Sequence, residues 1–583
     1  MIKNTPTICS FCSCGCGMFV RTQAGEARGV LPSTSHPVSQ GRLCHRGWNR
    51  FQNLRSVNRL VKPLVRDGEG MKETGWNEAL KLSGEKIKDL IGKHGPESIG
   101  VIGSPWLSNE DNYLVSLLAR QVIGTKNLDG SYRFGAAAAL SALNQLFGEV
   151  IGAAGSIPAL KESPAVLVAG QDAHRDFSPV GSRIVQAFKQ GAQIILADAS
   201  ASKAEHFYKT LIPVPADRLP SALAAKRDIP AEVLDLLGKP GAGLVFVADQ
   251  LNPSASVLAL INYLIEHRAS AKDLPNILAL SRCPNLRGAW DLGIRPPAGG
   301  LNLEEMLAPE SKVKGLLVFA EDLSVHLPKA ALLEKLKKLD FVLWAGRFRN
   351  DTAKGAHVVL PLPLFAESEG TLTNCEGRIQ VSRPALSPRG ECRGLSEVLP
   401  ELAQALGKSL PGGPAAAIRK EIAKAVPGYE KIAGPEVESE AGALLAPPRL
   451  ASAPPKPAML PALESPDKFL LLIPNTLYAW ERNRMIAESP VLYIEYQTER
   501  PALKMNLQDA KDLKFRPGEK AKIRSERGEL QVALQADEGV PRRTLVLSSH
   551  FLNLVEGVAG KGEIDPVTRS VYFPSLLVTV EKA

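Results

Sequence analysis

Four cysteines near the N-terminus constrain this chain more than any other feature. Cys9, Cys12 and Cys16 fall in the run CSFCSCGC and Cys44 follows in GRLCHRGW, a spacing of C-x2-C-x3-C-x27-C. Three thiols in one short run can wrap one face of a compact inorganic centre. A distant fourth closes the cage and ties two segments together. Four thiolates suit a [4Fe–4S] cluster. Gly15 and Gly17 allow close backbone approach and positive φ beside it. Two alternatives stand beside this reading. Zinc also takes four cysteines, although its sites usually pair two short knuckles. A disulfide framework suits a short secreted chain, whereas here 8 cysteines are spread over 583 residues. Cys14 lies inside the run but fits no second knuckle and is left out of the ligand set. Cys283, Cys375 and Cys392 are scattered and read as ordinary packed or surface thiols.

The length suffices for three or four domains. With 44% hydrophobic and 22% charged residues, the composition is that of an ordinary globular protein. A net charge of +9 would suit acidic partners or nucleic acid. However, no basic run interleaves with aromatics, so the charge reads as a diffusely basic surface and nucleic acid is excluded as a partner. No apolar stretch reaches the roughly 18 residues of a transmembrane helix. The opening MIKNTPTICS has neither an apolar signal core nor a twin arginine. The expectation is a cytoplasmic protein with no direct membrane insertion.

Residues 1–58 read as a small domain organised by its metal. Beyond them Trp76, Leu80, Ile87 and Ile91 recur at helical spacing, and Gly95-Pro96 ends that helix. Apolar runs at 99–102, 165–170, 193–198, 243–248, 315–320 and 340–345 read as buried strands. Helical patterns at 109–123, 179–190, 254–266 and 328–338 fall between them. This alternation predicts parallel sheets covered on both faces, with ligands beyond the carboxyl ends of the strands. Gly170 and Asp198 stand at such ends. No G-x-G-x-x-G or Walker loop is present, so no nucleotide or nicotinamide site is assigned. Residues 409–466 are rich in Ala and Pro and read as a semi-extended linker. From 467 to 583 the runs KFLLLI, VLYIEY, KAKIRS, ELQVAL, TLVLSS and LLVTV, separated by Gly, Pro and Asp, predict a β-barrel.

Five segments carry a resemblance that spans nearly the whole chain. They are the cysteine run, NRLVKPLVR with GWNEAL, SNEDNYLVSLLARQVIGTKNLD (108–129), HVVLPLPLFAESEGTLTNCEGRIQ (357–380) and NLQDAKDLKFRPGEKAKIRSERGEL (506–530). Together they resemble the molybdopterin oxidoreductases, in particular the large subunit of formate dehydrogenase. The resemblance implies an α/β protein with an N-terminal [4Fe–4S] domain (1–58) and two doubly wound α/β domains. One of these is discontinuous (59–135 and 340–408) and one is Rossmann-like (136–339). The linker 409–466 and a C-terminal double-psi-type β-barrel (467–583), similar to a molybdopterin-dinucleotide-binding domain, follow. It also implies molybdopterin guanine dinucleotide as a cofactor. Gly370, Asn374 and Arg378, beside Glu369, then belong to a pterin-flanking loop. Arg46 stands where active members place a lysine between cluster and pterin; it keeps the charge as a planar fork rather than a point.

The resemblance breaks at the active site. In formate dehydrogenases a metal-ligating Cys or selenocysteine, followed by His, comes shortly after an Arg and a hydrophobic residue. Here the run is YRFGAAAALSALNQLFG (132–148), so Gly135 stands at the ligand position and Ala136 at the His. Glycine offers a metal no side chain, and no catalytic residue is assigned. The runs QDAHRDFSP, ASASKAE, VPADRLPSAL and GRFRNDTA also depart from the family's pterin-binding turns. The pattern is similar to the formate-dehydrogenase-like body of the large peripheral-arm subunit of respiratory complex I, which keeps the fold without molybdenum. The expectation is an iron–sulfur electron-transfer subunit of a larger oxidoreductase complex, with other iron–sulfur or flavin subunits as partners. Two alternatives are an active molybdenum or tungsten bis-pterin oxidoreductase and a structural subunit with zinc or no metal.

Overall fold

The computed structural model describes the chain apart from residues 171–172, 202–205, 226–230, 268–273, 326–328, 452–454, 462, 464, 466, 475–483 and 497–500. The described residues form two compact units, one drawn from 1–133, 282–446 and 480–497, the other from 134–281, 447–479 and 498–583. Among them no helix is long and apolar enough to cross a membrane.

The first unit opens with an antiparallel sheet of β1 (Ile2–Ile8), β2 (Gly17–Gln23) and β3 (Glu26–Pro32). Strand β2 buries Met18, Val20 and Thr22 at the two-residue period of a half-covered strand. Ile8 pairs with Gly17, so residues 9–16 are the loop of this hairpin. Helix α1 (His45–Trp48) starts directly after Cys44. A seven-stranded sheet follows in the order Gly70–Glu73, Leu64–Asp67, Val358–Pro361, Phe341–Gly346, Gly315–Phe319, Ile99–Gly103, Leu128–Gly130. Its last five strands are parallel. Ile99–Gly103 and Gly315–Phe319 are buried at every position, as parallel strands covered on both faces require. The helix Trp76–His94 buries Trp76, Leu80 and Ile87 as its spacing predicts.

Gly315–Phe319 was expected in the Rossmann-like stretch 136–339, yet it lies inside the seven-stranded sheet, paired with Ile99–Ile102 and Phe341–Ala345. A short apolar run reads alike in any buried sheet, so its pattern does not say which sheet it joins. The expected linker 409–466 also gains structure. It holds the helix Ala415–Ala425 and the strand Ala443–Leu444, which pairs with Arg378–Ser382. Alanine is the strongest helix former, and between the prolines that preference prevails.

The second unit contains a five-stranded parallel sheet in the order Thr210–Ile212, Gln193–Ala197, Ala165–Ala169, Gly243–Val247, Asn276–Leu280. The strand order reverses at Ala165–Ala169, which makes the carboxyl end of that strand the crevice of a doubly wound sheet. The unit also holds the expected closed barrel, built from Phe469–Leu472, Thr544–Val546, Leu503–Asn506, Glu529–Asp537, Lys520–Arg524 and Leu576–Lys582. Leu471, Leu503, Met505, Ile523, Leu545 and Val578 fill it. VLYIEY is not one of its strands: it lies in the helix Pro490–Tyr496 of the first unit. Pro490 takes the first helical position, where its missing N–H costs nothing.

Candidate functional site: a nest of cysteines

The β1–β2 hairpin loop supplies Cys9, Cys12 and Cys16, and the start of α1 supplies Cys44. The Cys9 N–H donates to the Cys16 carbonyl at 2.8 Å and closes the loop. Gly15 has a φ of 67°, and a Cβ there would lie 2.4 Å from Gln380 Oε1. At Gly17 a Cβ would lie 2.3 Å from the His36 ring, so this glycine is needed for close approach alone. A distant segment grips the loop from outside. The Cys375 N–H donates to Ser13 O at 2.8 Å, Asn374 Nδ2 to Cys14 O at 3.0 Å and Gln380 Nε2 to Gly15 O at 3.0 Å. Three successive carbonyls are thereby fixed.

Cys9, Cys12 and Cys16 are buried and Cys44 is half-buried. Burial pushes the Cys9 thiol up to about 12, helped by Cys44 and Cys12. Burial also raises Cys16, and Cys9, Cys12 and Cys44 add to it. Cys44 is raised by burial but opposed by the Arg46 guanidinium and by the backbone N–H groups of Gly47 and Arg46. The four thiols therefore sense one another as a group, and their deprotonated forms repel unless a cationic centre binds among them. That donor set fits an iron–sulfur cluster.

Two buried arginines flank the nest. Arg46, expected here from its position, is 2% exposed, and Arg50, which the sequence reading missed, is also 2% exposed. Arg50 donates to Ser10 Oγ through Nη2 at 3.0 Å and Nε at 3.2 Å, and to Asn53 Oδ1 through Nη1. Its guanidinium lies over the rings of Phe365, 4.3 Å from the centroid, and Phe11, 5.1 Å away. Burial lowers its pKa to about 9, while Cys9 favours its charged form.

Of the residues expected around a pterin, Asn374 reaches this nest through Cys14 O, and the others have neighbours of their own. Asn374 Oδ1 accepts from the Glu376 and Arg378 N–H groups, each at 2.9 Å, while its Nδ2 holds Cys14. Arg378 bonds Glu376 Oε2 at 3.1 Å and Ala441 O at 2.8 Å. Glu369 pairs with Arg419 at 3.1 Å. A Cβ at Gly370 would lie 2.6 Å from the Ser108 Cβ.

Gly135 belongs to the second unit. A Cβ built there would lie 2.7 Å from the Asp249 Cβ. Asp249 follows the strand Gly243–Val247, so this contact sits at a carboxyl end of the parallel sheet. Ala136 is buried. Several polar groups in or beside the altered loops are held by the protein itself. Asp198 accepts from the Ser200 N–H at 2.8 Å, Asp217 accepts from Ser575 Oγ at 2.8 Å, and Asn350 caps the helix Asp351–Lys354. Residues 171–172 of QDAHRDFSP and 202–205 of ASASKAE lie outside the described residues.

Comparison with known proteins agrees with this architecture. The family model described as molybdopterin oxidoreductase matches residues 59–405. The molybdopterin oxidoreductase Fe4S4 domain, which accounts for one [4Fe–4S] cluster, matches 2–54, and the molydopterin dinucleotide binding domain matches 470–573. The F420-dependent formate dehydrogenase subunit alpha of Methanocaldococcus jannaschii is 26% identical over 100% of this chain and 99% of its own length. The NADPH-Fe(3+) oxidoreductase subunit alpha of Geobacter sulfurreducens is 27% identical over 74% of this chain and 59% of its own. The acetylene hydratase of Pelobacter acetylenicus shares the fold, with a TM-score of 0.66 at 14% identity over 99% of this chain and 100% of that one.

Proposed function

Because the chain belongs to the molybdopterin oxidoreductase family, we propose that it is the iron–sulfur electron-transfer subunit of a larger oxidoreductase complex, without molybdenum or tungsten chemistry of its own. Cys9, Cys12, Cys16 and Cys44 are the ligands of its [4Fe–4S] cluster. The observation that carries this reading is the closed niche at Gly135: the ligand position has no side chain, and Asp249 occupies the space one would need.

When bound, the cluster supplies one-electron transfer. The chain's own residues set the conditions. Buried Cys9, Cys12 and Cys16 keep water from three corners, while half-buried Cys44 marks the accessible one. Trp48, on the same short helix, is 44% exposed, which makes α1 the face offered to a redox partner. The Gly47 and Arg46 N–H groups favour the Cys44 thiolate, and together with the Arg46 and Arg50 charges they favour the reduced, more negative state. The partners are iron–sulfur or flavin subunits, consistent with the two relatives being alpha subunits, and the setting is the reducing cytoplasm.

The match to a dinucleotide-binding domain favours a second reading, an active formate-dehydrogenase-like enzyme whose pterin-held metal lacks a protein ligand. Acid and iodine extraction of the purified protein, followed by fluorescence of the oxidised pterin, separates the two. The first reading predicts no pterin, and a near-stoichiometric yield would replace it with the second.

A further inference from the structure

Half-buried Cys44 stands at the start of α1, and the surface beyond α1 is built from two distant stretches of sequence. Residues 480–497 pack with the first unit, although the residues on either side of them belong to the second. Side chains just after α1 hold this segment in place. Gln52 Oε1 accepts from Ser489 Oγ at 2.7 Å and from the Val491 N–H at 3.3 Å, while Gln52 Nε2 donates to Asn49 Oδ1 at 3.0 Å. Asn53 Nδ2 donates to Met485 O at 3.0 Å, and Ser56 Oγ and Asn58 Nδ2 donate to Glu488 Oε2 at 2.7 and 3.0 Å. Met485, Ile486 and Leu492 are buried, yet Val491, Tyr493 and Ile494 stay exposed, Ile494 at 71%. On the other side of this seam Trp48 and Val57 are exposed as well. Five of the twelve large apolar side chains exposed among the described residues thus border one seam. Scattered singly they would be ordinary; grouped, they mark a contact surface.

The rim of this face carries one sign of charge. From residue 27 to residue 66 the chain has no Asp or Glu but eight Arg or Lys. Of these Arg46, Arg50 and Arg59 are buried, while Arg42 and Arg55 are exposed. Arg389, also exposed, joins the rim by donating to Ser56 O at 2.7 Å. Between 484 and 494 the one carboxylate, Glu488, is buried and taken up by Ser56, Asn58 and Arg484. We propose that this face docks an acidic redox protein, an iron–sulfur or flavin carrier that seats an apolar centre on Trp48, Val57 and Ile494 and places carboxylates against Arg42, Arg55 and Arg389. The inference rests on the cluster reading above and names the kind of partner that reading requires. A basic rim around an apolar centre steers in a partner of opposite charge and turns away one of like charge. A second copy of this chain is turned away, since it carries the same basic face and a net charge of +9. Once docked, one electron leaves the reduced centre of the carrier and enters the cluster, or runs the other way, and no bond or proton changes hands.

The test titrates an oxidised, acidic [2Fe–2S] ferredoxin into the whole chain, purified without oxygen, by calorimetry at low and at high salt. The expected result is binding at low salt that weakens about tenfold or more at high salt. Arg55→Glu and Ile494→Ser, both at exposed side chains, are each expected to weaken it about tenfold. Their iron content and their rate of reduction by dithionite stay those of the unmodified protein. No binding, binding indifferent to salt, or equal binding of a basic cytochrome c overturns the proposal. So does an Ile494→Ser variant that binds as the unmodified protein does, because the helix Pro490–Tyr496 would then lie outside the contact. A dimer in sedimentation that Ile494→Ser dissolves overturns it in favour of a second copy on this face. Absence of iron from the unmodified protein instead refutes the cluster reading itself, and metal analysis reads that separately from the titration.

Discussion

Arg50 gives the most quantitative prediction. Among the described residues it is a buried cation with no carboxylate in contact; its partners are Ser10, Asn53 and two phenyl rings. Burial brings its pKa from 12.5 to about 9. At about 1.4 kcal/mol per tenfold, that is a penalty on the order of 5 kcal/mol on the charged form, to which Arg347 and Arg59 add and which a Cys9 thiolate offsets. Cluster binding turns the thiols into thiolates and supplies the missing counter-charge. A unit charge at roughly 8 Å through an effective dielectric of about 20 interacts by about 2 kcal/mol. For a one-electron couple this corresponds to about 90 mV, since 59 mV is tenfold. The positive charge favours the reduced state, so Arg50→Met is expected to lower the midpoint potential by some tens of millivolts to about 90 mV. The cluster-free variant is expected to gain stability, because an apolar side chain of similar length replaces an uncompensated buried charge. Potentiometric titration followed by electron paramagnetic resonance reads the first effect, and guanidinium unfolding of the cluster-free protein reads the second. An unchanged or raised potential would refute the counter-charge argument.

Gly135→Cys forces a Cβ against Asp249 and is expected to cost about 1–3 kcal/mol, with part recovered in Gly135→Cys combined with Asp249→Gly. A cost-free substitution, measured by denaturant midpoint, would mean the niche is open. Burial, with help from Arg378, lowers the His36 pKa to about 4, below its ordinary 6.5. Its neutral form therefore supports the fold fully above pH 6.5, and that support is lost as pH falls toward 4. Unfolding at pH 7 and pH 5 should differ by about 2 kcal/mol from this group, a difference that His36→Gln removes. Asn374→Ala withdraws the donor from Cys14 O and the acceptor from two N–H groups, at an expected cost of about 2–3 kcal/mol. Faster iron loss to a chelator is its signature, and an unchanged rate would contradict the clamp. Cys44→Ser is expected to bleach the visible absorption, and unaltered iron content would contradict its role as a ligand.

The grouping of Cys9, Cys12 and Cys16 was legible because its information is local: the three thiols fall in one hairpin loop, where φ is positive at Gly15. The buried strands were legible for a similar reason, since an unbroken apolar run has few other uses. What escaped depends on distant partners. Arg50 looks like a surface arginine until Phe365, far along the chain, covers it. The segment 374–380 was recognisable as special, but its grip on residues 13–15 spans most of the chain and leaves no local pattern. VLYIEY carries every mark of a strand, and only the proline before it starts a helix.

The central claim is a chain that keeps its cluster and has given up its pterin-bound metal. Mass-spectrometric counting of iron, molybdenum, tungsten and zinc in protein purified without oxygen tests it most directly. About four irons per chain, with neither molybdenum nor tungsten, is the predicted result. Iron accompanied by near-stoichiometric molybdenum or tungsten would contradict it and make formate oxidation the activity to assay.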